Sequence, residues 1–283
     1  MTDNNFVSQE HQTVFIPETI SADYYVDVRS EKEYASGHIS NAINLPILND
    51  LERHEVGWLY KNASVEEAKM RGAMYGGSKI EQFVRTISAI HRSIGGHPTA
   101  ENKSLNPDSS SHSAGRVIVY CARGGYRSKS VVSLLNSIGI PVLQLEGGYK
   151  AYRQFVLNRL KGPFPRFIGI NGLTGSGKTY ILHELQRRGE PTLDLEGAAN
   201  HKGSTLGAIG TNKIQCVQQF ENDLVSQLAE AEGRSRSRDL PPYCFIEMES
   251  RRIGKLTIPA PLYAAYHDEA QQIYIERSRE QRV

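Results

Sequence analysis

With 283 residues, 39% hydrophobic and 23% charged, the chain is long enough for two ordinary domains and too apolar to be disordered. A formal net charge of +2 is too small to argue for or against a nucleic-acid partner. Three cysteines, Cys121, Cys216 and Cys244, are too few and too far apart for a disulfide framework or a zinc cluster, so a reducing cytoplasm is the expected compartment.

In chain order, residues 1–15 lack the charged start and apolar core of a signal peptide. No run approaches the roughly 20 apolar residues of a membrane span, so no membrane is expected. YYVDVRS (24–30) reads as a buried strand ending in polar residues, and a helical pattern covers 76–94. Residues 95–116, rich in Ser, Asn, Pro and Gly, predict a solvated loop. RVIVY (116–120) and PVLQL (141–145) read as strands, with helices predicted over 127–139 and 149–160. Strands alternating with helices predict an α/β fold with a mostly parallel sheet covered on both faces. KGPFP (161–165) breaks the pattern, which divides the chain into domains at 1–160 and 161–283. RFIGI (166–170) then opens a second strand–loop–helix unit; 191–197 and 242–250 read as strands, 232–242 as a basic loop and 266–283 as a polar helix. Cys216 and Cys244, in helix-like and strand-like apolar contexts, read as core.

Cys121 stands where a strand meets a loop and a helix, the arrangement that gathers backbone N–H groups and the positive end of a helix around one point. Gly124 and Gly125 permit the backbone angles of an anion-binding nest. Such a nest, with Arg123 and Arg127, favours the thiolate form of Cys121, which is the nucleophile. The plainer alternative is a small buried hydrophobe at a strand end. DVRSEKEYASGHISNAINLPI (27–47), followed by a strand and this loop, resembles a rhodanese domain over residues 14–160. That resemblance implies that Cys121 carries a transferable chalcogen as a persulfide, and that Asp27, Arg29 and His38 support the loop. The spacing Cys121-x5-Arg127 is one residue longer than the common sulfurtransferase loop and is similar to cysteine–arginine phosphatases. Tyr120 stands where those phosphatases usually carry a histidine, and no general-acid aspartate follows in the loop.

GLTGSGKT (172–179) fits G-x-x-x-x-G-K-[ST] between a strand and a helix. Gly172, Thr174, Gly175, Ser176 and Gly177 would wrap a phosphate or diphosphate in backbone amides. Lys178 would neutralise charge, and Thr179 is a candidate Mg²⁺ ligand. Glu247 and Glu249 stand where a hydrolysing ATPase would place an aspartate at the end of a second strand. They read either as metal-organising acids or as solvated ones. Arg234, Arg236, Arg238, Arg251, Arg252 and Lys255 form a basic group that either contacts a phosphate backbone or is simply solvated.

YCARGGYRS, GLTGSGKT, LDLEGAANHKGSTLGAIG (193–210) and ESRRIG (249–254) together resemble the bacterial tRNA 2-selenouridine synthase family, as does 56–77. The resemblance implies a rhodanese-like domain followed by a P-loop NTPase-like α/β domain, shortened at its C-terminus relative to the family. It implies a transferase that converts wobble 2-thiouridine to 2-selenouridine in tRNAs for lysine, glutamate and glutamine. Selenophosphate would be the donor, an S-geranyl intermediate would form from geranyl diphosphate, and a selenophosphate-producing enzyme would be a partner. No tightly bound cofactor is implied, and Mg²⁺ is a candidate ion. Cys121, Arg123 and Arg127 would serve selenium transfer, and the 172–179 loop would seat the diphosphate. Within DLEGAANHKGS, Asp194, Glu196, His201 and Lys202 read by themselves as an ordinary polar turn. The resemblance favours Glu196, His201 and Arg251 as lining residues. Met248 stands where the family often carries an acid. A phosphatase or phosphotransfer enzyme on small phosphoesters, and a non-catalytic tRNA or nucleotide binder, remain alternatives.

Overall fold

A computed structural model describes residues 12–13, 23–94, 115–201, 215–278 and 280. Lys202 and nearly all of the expected solvated loop lie outside the described residues. The chain forms two compact units, Met1–Tyr152 and Arg153–Val283.

The first unit contains β1 (Gln12–Thr13), β2 (Tyr24–Asp27), α1 (Glu31–Ala35), β3 (Ile43–Asn44), α2 (Asp50–Asn62), α3 (Val65–Gly77), α4 (Ile80–Ser93), β4 (Val117–Tyr120), α5 (Tyr126–Ser137) and β5 (Leu143–Leu145). Helix α6 (Gly148–Arg159) begins in it, and the division between units falls within α6, upstream of the proline-rich segment 161–165. Its five strands are all parallel, in the order β1-β5-β4-β2-β3. β4 is buried along its whole length, and its apolar run VIVY is what a central parallel strand covered on both faces requires. One face packs Val26, Val117 and Val119 against Phe83, Ile87 and Ile90 of α4 and Val131, Val132 and Leu135 of α5. Phe83, Ile87 and Ile90 recur at helical spacing and form the apolar stripe of α4. The helix expected over 76–94 starts only at Ile80, because Gly76 and Gly77 end α3 and a turn at Ser78 and Lys79 intervenes.

The second unit contains β6 (Arg166–Gly172), α7 (Lys178–Arg187), β7 (Thr192–Leu193), α8 (Leu195–Ala199), α9 (Val217–Arg236), β8 (Tyr243–Glu247), β9 (Arg252–Ile253), β10 (Leu256–Thr257), α10 (Ala260–His267) and β11 (Gln271–Ile275). Its main sheet is parallel, in the order β11-β6-β8-β7, and β9 and β10 form a separate hairpin. Two expectations are corrected here. Where the expected polar helix over 266–283 falls on described residues, the chain is instead the end of α10 and the edge strand β11, which pairs Ile273 with Ile170 of β6. The β-branched and aromatic run IYI suits a half-covered strand, and the ladder with β6 overrides the polar composition around it. The basic loop at 232–242 is in its first half the last turn of α9. There Arg234 pairs with Glu230, while Arg238 binds Glu190, so these two arginines are engaged within the chain. Among the described residues no helix is long and apolar enough to cross a membrane.

Ile87 is fully buried, whereas Arg85 makes an exposed i,i+4 pair with Glu81. Ile87→Ala is expected to lower the unfolding free energy of the first unit by about 2–5 kcal/mol in urea titration. Arg85→Ala is expected to change it by less than about 0.5 kcal/mol.

Candidate functional site

The cysteine loop is built by the element that follows it as much as by its own residues. Cys121 lies directly after β4 and is 3% exposed. Tyr149 and Lys150, in the first turn of α6, donate their backbone N–H groups to the carbonyls of Cys121 (2.9 Å) and Ala122 (3.0 Å). This approach needs a glycine at 148: its φ is +57°, and a Cβ there would collide with the Cys121 carbonyl and stand 2.6 Å from the Gly124 nitrogen. Buried Gln144 of β5 donates from Nε2 to the Gly124 carbonyl (2.7 Å) and to Ser128 Oγ (2.9 Å). Ser128 Oγ lies 3.2 Å from Cys121 Sγ and 3.3 Å from the Gly125 carbonyl. With Gln144 donating to that oxygen, the single Ser128 proton is left for the sulfur or for Gly125.

Arg127 is not a free anion ligand. It donates to both carboxylate oxygens of Glu33, at 2.6 and 3.0 Å, from the first turn of α5. Burial pushes the Glu33 carboxyl up, but the hydrogen bonds and charge of Arg127 outweigh it and leave Glu33 below its ordinary value. Glu33 also closes the capping box with Ser30 at the start of α1, so the pair ties α1 to the cysteine loop. Arg123 is exposed and has no ion pair among the described residues. Asp27 and Arg29 form a buried pair at 2.6 Å, and Arg29 also donates to the Gly37 carbonyl. His38 bonds the Tyr34 carbonyl and stacks on that ring. Tyr120 is fully buried, and its hydroxyl accepts from the Ile39 N–H.

The phosphate loop runs from the end of β6 to α7. Gly172, Gly175 and Gly177 all have positive φ; at Gly172 a Cβ would stand 2.7 Å from the Ile275 carbonyl and 2.8 Å from Ser176 Oγ. Thr174 and Gly175 are exposed at the loop's crest, and Ser176 is buried beneath. Lys178 Nζ donates to the Gly172 carbonyl (3.2 Å) and lies 3.6 Å from Glu247 Oε1. Thr179 Oγ1 donates to Glu247 Oε2 at 2.9 Å. Glu247 ends β8 opposite Ile170 in the register with β6, so it supplies the carboxylate at the strand end. Met248 turns the other way and packs over Gly169.

Glu196, in the first turn of α8, belongs electrostatically to this group. Burial pushes its carboxyl up to about 7, helped by the charges of Glu247, Glu249 and Asp194 and opposed by Lys178. Glu249 is raised as well, by burial and by Glu247. Asp194 caps α8 by accepting from the Gly197 N–H and lies 3.1 Å from His183. His201 packs over Gly254 in the β9–β10 turn, and its Nδ1 is buried without a hydrogen-bond partner among the described residues. Arg251 is exposed just before β9, its carbonyl accepting from the Ile258 N–H. Among the described residues no three His, Cys, Asp or Glu side chains stand together as metal ligands. Cys244 is fully buried, which pushes its thiol up, whereas Cys216 is only half-buried at the N-cap of α9 rather than in the core.

Gln144, Ser128, Glu33 and Gly148 escape a sequence reading because their roles depend on contacts across the sheet. The glycine pair 147–148 after a short strand is the only local signal.

Comparison with known families places a rhodanese-like domain at residues 17–155 and a tRNA 2-selenouridine synthase AAA domain at 165–283. A tRNA 2-selenouridine synthase of Nitrosomonas europaea is 34% identical over 83% of this chain and 55% of its own length. Those of a Sulfurovum species and of Pseudomonas putida are 31% and 33% identical, each over 91% of this chain and 63% of the relative. The chain therefore spans a little over half the length of the curated relatives it matches.

Four outcomes are expected from this geometry. Gly148→Ala lowers the stability of the first unit by about 1–3 kcal/mol in thermal melts. Gly125→Ala, with nothing within 4 Å of its Cβ, leaves that stability nearly unchanged. The Glu196 carboxyl, followed by carbon-13 NMR, titrates near pH 7 and moves lower in Glu247→Gln. Because the folded state then binds more protons than the unfolded one between about 4.5 and about 7, stability falls as pH rises through that window, and Glu196→Gln flattens the fall.

Proposed function

Because the chain belongs to the tRNA 2-selenouridine synthase family, we propose that it modifies tRNA, converting wobble 2-thiouridine to 2-selenouridine in tRNAs for lysine, glutamate and glutamine. The observation that carries this reading is the pairing, in one chain, of a buried cysteine in a backbone-amide loop with a phosphate loop whose lysine faces the carboxylate of Glu247. Two chemically different half-reactions explain why both loops are present.

In the first half-reaction the thiocarbonyl sulfur attacks C1 of geranyl diphosphate. The C–O bond breaks with its electron pair leaving on the diphosphate. Loop amides of 172–177 and Lys178 stabilise the charge that develops there, and the uridine N3 proton passes to solvent or to a nearby carboxylate. In the second half-reaction water cleaves the P–Se bond of selenophosphate to leave phosphate and selenide; the selenium adds at C2 of the uridine and the C2–S bond breaks, the two selenide protons going to the departing geranylthiolate and to N3. Cys121 serves this step, with selenophosphate supplied by a partner enzyme and its phosphate held by the loop amides and Arg123. The Thr179 hydroxyl and the Glu247 carboxylate fit an Mg²⁺ ion whose remaining ligands are phosphate and water, and Glu196 and Glu249, raised by burial and then by neighbouring carboxylates, fit a cation nearby. Bound there, the ion would offset diphosphate charge. A small-molecule phosphatase is less well supported, because the Arg127 such an enzyme would use on phosphate is held by Glu33.

The test is mass spectrometry of nucleosides from 2-thiouridine-containing tRNA. Geranyl diphosphate alone is expected to give S-geranyl product, and both donors together 2-selenouridine. With Cys121→Ala, geranylated tRNA accumulates; with Lys178→Ala, geranylation slows by about 10²–10³-fold. Absence of both products in every reaction overturns the reading, and turnover of small phosphoesters without tRNA replaces it with the phosphatase.

A further inference from the structure

We propose that Arg277 is a second phosphate-binding cation of the 172–179 loop, and that the cavity beside it holds the organic part of the diphosphate ligand, an apolar allylic chain. The second half of this inference rests on the reading above; the first does not.

The placement follows from the sheet. β11 runs parallel to β6, with Ile275 paired to Gly172, so both strands end at one level. The residues after β11 therefore stand beside the residues that form the loop, at the carboxyl ends of the strands, where open α/β sheets bind ligands. The guanidinium of Arg277 reaches over the N-terminus of α7: its Nη2 and Cζ lie 3.5 and 3.6 Å from where a Gly177 Cβ would be. No side chain at 177 separates the guanidinium from the helix end. Arg277 has no ion pair among the described residues. A cation against the positive end of a helix is unfavourable by itself and becomes favourable when an anion lies between them.

The cavity is about 360 Å³ and is lined by Leu173, Tyr274, Ile275, Glu276, Arg277 and Ser278. Its size is within the range of small-ligand pockets. Leu173 and Tyr274 are 54% and 56% exposed, which leaves apolar surface open directly beside a phosphate site. The Glu276 carboxylate on the same rim disfavours a further phosphate there. The accessible lining is more polar than apolar, so an uncharged tail would cover Leu173, Tyr274 and Ile275 while Glu276, Arg277 and Ser278 stay hydrated at the rim.

Isothermal titration of the 283-residue chain with inorganic diphosphate, geranyl diphosphate and ADP tests the proposal. Arg277→Gln is expected to weaken inorganic and geranyl diphosphate alike, by about tenfold, and Arg277→Lys to restore part of the loss. Tyr274→Ser is expected to leave inorganic diphosphate unchanged and weaken geranyl diphosphate about five- to tenfold. Melting curves confirm that these exposed-site variants fold. Unchanged binding of both ligands by Arg277→Gln, or no binding by the unmodified chain, overturns the Arg277 assignment. Geranyl diphosphate that binds more tightly than inorganic diphosphate, yet is indifferent to Tyr274→Ser, overturns the cavity assignment while leaving the proposed substrate standing. Geranyl diphosphate no tighter than inorganic diphosphate counts against the substrate itself, and loss of ADP alone in Tyr274→Ser assigns the cavity to a nucleoside.

Discussion

Close approach of one backbone to another, possible only where glycine replaces a side chain, is the constraint on which both loops depend. At the cysteine loop, Gly148 lets the first turn of α6 donate two N–H groups to the carbonyls of Cys121 and Ala122. Those carbonyls are thereby turned toward α6. The N–H groups of Ala122 and Arg123, which share those peptide units, therefore point away from α6, since a peptide unit that points its oxygen one way points its N–H the other. At the phosphate loop, Gly172 lies against the Ile275 carbonyl and Ser176, which brings edge strand and loop into contact. In each case the local motif fixes which residues form the loop, and a neighbour distant in sequence fixes its shape.

Each loop also carries a cation held by an internal carboxylate: Arg127 by Glu33, and Lys178 by Glu247. A partly buried cation left unpaired would be strongly unfavourable, so a nearby acid keeps the ligand-free loop stable. The consequence is competition, because an incoming anion must draw the cation from its carboxylate or share it. The two pairs differ in what they permit. Arg127 makes a bidentate bond with well-aligned geometry, which holds it as structure. Lys178 lies 3.6 Å from Glu247 on a flexible stem, a looser pairing that a diphosphate can redirect. The acids around Lys178 outnumber it, and Glu196 and Glu249, raised first by burial and then by neighbouring carboxylates, make that site receptive to added positive charge.

What the sequence reveals is what short-range chemistry determines. The strand-to-loop transitions at Cys121 and Gly172, the buried strand 116–120 and the parallel α/β class all follow from apolar runs and glycine placement within a few residues. What it conceals is set by contacts between distant positions. Gln144 and Ser128 carry no local mark of their place behind the sulfur. Arg127 looks like an anion ligand until Glu33, on another helix, is brought against it. The 76–94 pattern is truly helical but is split by the glycines at its start, and Arg234 and Arg238 look like a basic patch until Glu230 and Glu190 are seen beside them.

The segment after His267 shows how far such a difference reaches. Read as a polar helix, 266–283 would rise about 1.5 Å per residue, and nothing would tie its arginines to the loop. As strand β11 it advances about 3.3 Å per residue alongside β6, so its five residues run beside Ile168 to Gly172 and end level with the loop. The polar composition reflects an edge strand whose faces are largely open, where glutamines tolerate water and the ladder alone specifies the conformation. Ending level with Gly172, the strand delivers Arg277 to the start of α7. The strand conformation, not the sequence motif, is what adds a second cation to the phosphate loop.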